Sequence, residues 1–142
     1  MSDTLTTNVT VTIRAPASRV WEALTNPILI KQYLFGTDVT SDWKVGSPII
    51  YRGLWQGKPY EDKGRVLRNE PGRLLVSTFW SSLSGLPDLP ENYKTLRHEL
   101  FPGGNTTRLT LTQDNNSTQE EANHSAQNWK TVLEGMKMLL EA

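Results

Sequence analysis

The 142-residue chain contains no cysteine, which excludes a disulfide framework, a thiolate nucleophile and a Cys-based metal site. It has no excess of either charge, with 15 Lys and Arg against 15 Asp and Glu. A nucleic-acid binder needs a basic surplus to meet phosphates, so no nucleic-acid partner is expected. Nor does the balance provide attraction to an anionic membrane surface. No stretch approaches the roughly 18 apolar residues of a membrane span. Met1 to Asn8 is polar and lacks the apolar core of a signal peptide, so cytoplasmic residence is the expectation. Signatures of chemistry are missing too. There is no Gly-x-Ser-x-Gly elbow, and Gly103-Gly104 is followed by no helix, so it is no phosphate loop. The two histidines, His98 and His124, are separated by a strand and a turn, which argues against a metal site. Glu61 and Asp62, adjacent in a strand, point to opposite faces and make no cooperating pair. Asp88, Glu91 and Glu99 show no partner spacing. No cofactor is expected, and the balance leans away from an enzyme. No internal repeat, low-complexity tract or linker divides the chain. It reads as one domain over residues 1–142, long enough to bury a substantial core.

What is present is organised around one long amphipathic stretch, Ser117 to Ala142. Ala122, Ala126, Trp129, Val132, Leu133, Met136, Leu139 and Leu140 recur at three- and four-residue steps, the helical period. Asn123, Gln127, Lys130, Glu134, Lys137 and Glu141 fall on the opposite side. Ser117-Thr118-Gln119-Glu120 has the form of a capping box at its start. No upstream helix matches it in length, so its apolar stripe has to be buried by a sheet.

Upstream, Asn8 to Arg14 alternates with Val9, Val11 and Ile13 on one side, a half-buried strand. Pro16 opens a short helix whose face is Ala17, Val20, Trp21 and Leu24. Asn26 and Pro27 cap and open a second, running to about Leu34. From Val39 to Gln113 the helical period vanishes. Strands are expected over Ser47–Trp55, Pro59–Arg68, Arg73–Trp80, Tyr93–Phe101 and Thr106–Gln113, with a tight hairpin at Gln56-Gly57. Ser81 to Asn92, rich in Ser, Gly, Pro and Asp, is the longest loop and a candidate mouth or lid. Strands grouped together and followed by one long helix predict an α+β fold, with a curved antiparallel sheet around the helix.

Several of these segments resemble a known family. Arg14-Ala15-Pro16-Ala17-Ser18-Arg19-Val20-Trp21-Glu22-Ala23-Leu24-Thr25-Asn26-Pro27 is similar to the opening of START-like (SRPBCC, helix-grip) proteins. Within them it resembles the branch named after the activator of the heat-shock-protein-90 ATPase. Gly64-Arg65-Val66-Leu67, Pro71-Gly72-Arg73-Leu74, Thr107-Arg108-Leu109-Thr110-Leu111 and Trp129-Lys130-Thr131-Val132-Leu133 fall in the same order as in that family. The resemblance implies a hydrophobic cavity between sheet and helix, used in the superfamily for lipids, polyketides and other small apolar molecules. Two departures stand out. The aromatic pair that usually follows the second helix appears here as Tyr33-Leu34-Phe35, and His98 occupies an apolar slot of the penultimate strand.

The candidate ligand-binding residues are Tyr33, Phe35, Trp43 and Tyr51, together with Trp80, His98, Trp129 and Leu133. Five tryptophans are many for this length; rings can line a pocket for flat apolar ligands or simply fill a curved sheet's core. Strand parity puts Leu96, His98 and Leu100 on one inward face. It also groups Leu74, Val76, Thr78 and Trp80. An inward His98 is either a ligand anchor and acid/base group or a core histidine satisfied by a carbonyl or by Tyr51, and the satisfied core residue is the commoner case. Three functions are weighed: binding of a small hydrophobic molecule, a polyketide cyclase/dehydratase-like enzyme acting through His98 or Tyr51, and a co-chaperone-like domain acting on a heat-shock ATPase. The first ranks highest and the third lowest. A homodimer is compatible with the sequence.

Overall fold

A computed structural model of the chain describes residues 5–142; the polar opening Met1–Thr4 lies outside them. The elements follow the order β1 (Leu5–Ile13), α1 (Ala17–Thr25), α2 (Pro27–Tyr33), β2 (Asp38–Thr40), β3 (Pro48–Trp55), β4 (Lys58–Glu70), β5 (Leu74–Phe79), β6 (Lys94–Gly103), β7 (Thr106–Asn116) and α3 (Gln119–Glu141). All seven strands form a single antiparallel sheet in the order β1-β7-β6-β5-β4-β3-β2. The fold is α+β, with the sheet curved around a long C-terminal helix, as the helical period and the grouped strands predict. The one strand not expected is β2. Three residues with a single buried side chain, Val39, are too few to show a period.

Local chemistry explains the boundaries. Asn26 Oδ1 accepts the Ile28 amide at 2.9 Å, and Pro27 opens α2 behind that cap. Gln56 and Gly57 both take positive φ, 52° and 79°, which makes a two-residue hairpin turn whose twist matches the strands. α3 begins two residues later than expected. Its cap is Thr118, whose Oγ1 accepts the Glu121 amide at 3.0 Å, so the capping role falls one residue beyond Ser117. Lys137 and Glu141, expected on the solvated side, clasp β1 instead. Lys137 Nζ donates to the Thr12 carbonyl at 2.7 Å, and Glu141 accepts the Arg14 amide at 2.7 Å.

The sheet bends between β4 and β5. Leu67 is an extra residue in β4, since Val66 pairs with Ser77 but Arg68 pairs with Val76. Just before it, a Cβ on Gly64 would stand 1.7 Å from the Thr78 carbonyl oxygen, so only glycine allows the strands to approach this closely. Two buried clusters result. One joins Ile13, Val20, Leu100, Leu109, Leu111, Leu133 and Met136 under α3. The other gathers Ile30, Val39, Ile49, Val66 and Leu75 under α2. Among the described residues no helix is long and apolar enough to cross a membrane.

Candidate functional site

A cavity of about 50 Å³ lies where the two clusters meet. Its floor comes from the sheet, with Tyr51 on β3, Leu75 and Ser77 on β5, and Leu96 and His98 on β6. Its roof is Trp129, Val132, Leu133 and Met136 of α3, and its side is Leu24, Ile30, Tyr33, Leu34 and Trp43. Six of the eight residues proposed from sequence are thus brought together: Tyr33, Trp43, Tyr51, His98, Trp129 and Leu133.

Phe35 and Trp80 are not. Phe35 is 51% exposed at a positive φ of 53° and meets Trp55 edge-on, with ring centroids 6.1 Å apart. Trp80 does share a face with Thr78 and Val76, but that face looks away from α3. Its indole Nε1 donates to the Leu86 carbonyl at 3.2 Å, and Lys63 Nζ sits 5.7 Å from its ring centroid. β5 is buried from Leu74 to Ser77, so hydrophobicity alone does not reveal which of its faces is inner. Pairing does: Leu75 lies opposite His98, and Ser77 opposite Leu96. Those two residues are the part of the wall that strand parity missed, and Val132 and Met136, from the apolar stripe of α3, complete the roof above them.

The polar atoms around the cavity fall into two groups. Some are already engaged. Tyr33 donates its hydroxyl to the Ala23 carbonyl at 2.8 Å, and burial pushes its phenol pKa up. Trp129 Nε1 donates to Gln113 Oε1 at 2.8 Å, and Gln113 Nε2 is tied in turn to Ser125 Oγ at 3.1 Å. These side chains show the cavity their apolar surfaces. Trp43 takes a positive φ of 64°, unusual for so bulky a residue. The conformation is held by its N–H on Ser41 Oγ and its carbonyl on Asn69 Nδ2.

His98 is in the other group. Its Nδ1 is buried and has no hydrogen-bond partner. Desolvation lowers the imidazole pKa to about 4, so the ring is neutral at pH 7. Tyr51 stacks edge-on against Phe79, with centroids 5.7 Å apart, and its phenol pKa is raised first by burial and then by the negative charge of Asp62. Asp62 is directly opposite Tyr51 in register. It is buried, and its Oδ1 accepts the Ser82 amide at 3.0 Å. Burial raises its pKa. The arrangement can hold an apolar body beside an imidazole whose buried Nδ1 is unengaged. No hydrogen-bond partner on Nδ1, among the described residues, orients the imidazole. Among the described residues no cluster of His, Asp and Glu could hold a metal ion. His124 is exposed on α3, away from the cavity.

Comparison with known proteins places this geometry. The chain is similar to ChR145 from Cytophaga hutchinsonii, whose solution structure superposes with a TM-score of 0.86 at 48% identity over 99% of this chain and 97% of that one. CalU16 from Micromonospora echinospora aligns with a TM-score of 0.74 at 21% identity, covering 96% of this chain and 76% of that one. DynU16, a protein of the dynemicin biosynthetic locus, aligns with a TM-score of 0.80 at 20% identity, covering 96% of this chain but 47% of that one. At such identities these last two likenesses speak for the fold alone. No curated protein sequence matches the chain. The profile described as "Activator of Hsp90 ATPase homolog 1-like protein" matches residues 14–141. With a sheet gripping α3 and that match spanning nearly the whole chain, this protein belongs to the Activator of Hsp90 ATPase homolog 1-like family, within the START-like helix-grip superfamily.

Proposed function

We propose that the chain, acting as a single domain, binds a small apolar molecule in the cavity between sheet and α3, and that His98 Nδ1 hydrogen-bonds the ligand's polar group. One observation carries the reading: a buried nitrogen without a partner in a wall made mostly of apolar side chains and aromatic rings. Leaving such an atom unsatisfied costs about 1–3 kcal/mol, which a ligand hydroxyl, amide or carbonyl-bearing group recovers through direct or water-bridged contact. The cavity of about 50 Å³ is well below the roughly 300–1,000 Å³ of a filled ligand pocket. A ligand of more than a few heavy atoms therefore enters by displacing the half-exposed Leu34 and Trp43 at the rim. A cyclase-like reading would need a group to orient the imidazole as a base, and Nδ1 has no such neighbour.

Titration of 2-naphthol into the labelled protein tests the proposal. Amide and ring shifts should move at Tyr51, His98 and Trp129, and His98→Gln should weaken binding by about tenfold, the value of one hydrogen bond plus a stranded partner. No shift at these three residues, with no change in thermal stability, would mean that the interior is a closed core.

A further inference from the structure

The cavity's charge pattern defines what kind of molecule it takes, an inference that rests on the binding function proposed above. Two cations, one at each end of α3, are engaged elsewhere. The inward face of β6 runs Lys94, Leu96, His98 and Leu100. Lys94 is the one cation on it, and its Nζ is tied to Glu121 Oε1 at 2.8 Å and to the Asn115 carbonyl at 2.9 Å, at the start of α3. At the other end of α3, Lys137 is occupied by Glu141 and the Thr12 carbonyl. Among the described residues no lysine or arginine lines the cavity, and the imidazole that does is neutral. An acid pairs in register with one of the lining residues. Asp62 is 8% exposed, on the same face as Tyr51 and directly across from it.

We infer that the cavity selects uncharged ligands and rejects anions, with Asp62 and the absence of a lining cation as the determinants. A carboxylate drawn into this space would lose its hydration with no counter-charge to replace it, and would sit near a second carboxylate. A buried ion without a partner is far costlier than a buried neutral dipole. A neutral hydroxyl, ketone or amide loses much less and gains the free nitrogen of His98. Long-chain fatty acids and other anionic amphiphiles are therefore poor ligands at neutral pH, whereas their alcohols, amides and ketones fit.

Matched probes isolate charge from shape. Naphthalene-2-carboxamide and 2-acetonaphthone, both uncharged, are compared with naphthalene-2-carboxylate by calorimetry at pH 7.4. Both uncharged probes should bind at least thirtyfold more tightly than the carboxylate. Asp62→Asn keeps an acceptor for the Ser82 amide. It should strengthen carboxylate binding several-fold while leaving the amide within about twofold. A carboxylate that binds the native chain as tightly as the amide overturns the selection while leaving the cavity reading intact. If none of the three probes binds, the cavity reading fails and the selection falls with it. Equal carboxylate affinity in the native chain and in Asp62→Asn would remove Asp62 as a determinant.

Discussion

His98 concentrates the chemistry of this molecule in one ring, and its burial has a consequence for stability that needs no ligand. A free imidazole titrates near 6.5, while His98 in the fold titrates near 4. Between these values the unfolded chain binds a proton that the folded chain refuses, so acid favours unfolding. The contribution is fully present above pH 6.5, is lost as pH falls from 6.5 to 4, and changes no further below that. At most it amounts to roughly 3 kcal/mol at 1.36 kcal/mol per pKa unit. Urea denaturation at pH 7.5 and at pH 4.5 should show the native chain losing more stability on acidification than His98→Gln, which has no imidazole to protonate. Equal losses in the two proteins would place His98 in a solvated environment. Alternation along β6 shows from the sequence alone that His98 faces inward between two leucines. That Nδ1 lacks a partner is invisible there, because the candidate partners come from β5, β7 and α3 and only pairing brings them near.

At the scale of elements, α3 shows how a sound local signal can be shifted by its neighbour. Ser117-Thr118-Gln119-Glu120 and Thr118-Gln119-Glu120-Glu121 are both capping-box sequences. β7 extends through Asn116, with Asn116 Nδ2 donating to the Leu5 carbonyl at 2.9 Å. That strand leaves Ser117 as the link and gives the cap to Thr118. Thr118→Ala should lower stability by about 1 kcal/mol, whereas Ser117→Ala should stay within about 0.5 kcal/mol. Thermal denaturation distinguishes the two, and the reverse order would restore the cap to Ser117. β5 makes the complementary case. Its apolar run shows that a strand exists but not which face is inward, and a one-residue choice moved Trp80 out of the cavity and Leu75 and Ser77 into it.

For the whole molecule, the decisive feature is the bend that lets seven strands surround one helix. It is concentrated where Gly64 passes the Thr78 carbonyl and Leu67 bulges out of β4. A methyl group cannot fit 1.7 Å from a backbone oxygen, and neither strand can retreat without breaking its ladder. Gly64→Ala should therefore cost about 3 kcal/mol or more, among the largest effects of any single substitution. Chemical denaturation showing less than about 1 kcal/mol would mean that the sheet can relax there. The far end of the grip is electrostatic. Glu141, held near pKa 2 first by Lys137 and then by the Arg14 amide, fastens the end of α3 to β1.

Three things were determined by the sequence alone. Periodicity settled the single long helix and the grouped strands, because an amphipathic helix and a half-buried strand each repeat with their own spacing. Turn chemistry placed Asn26-Pro27 and Gln56-Gly57. The absence of cysteine removed thiol chemistry, and alternation along β6 turned one histidine inward. Tertiary structure alone decided which aromatics share a space, since Phe35 and Trp80 are as apolar as Trp43 and Trp129 but stand on the wrong side of a backbone whose pairing is non-local. It also decided that Tyr33 and Trp129 have their polar atoms engaged while His98 does not. A hydrogen bond requires an atom within about 3 Å, and that distance is set by chain segments far apart in sequence.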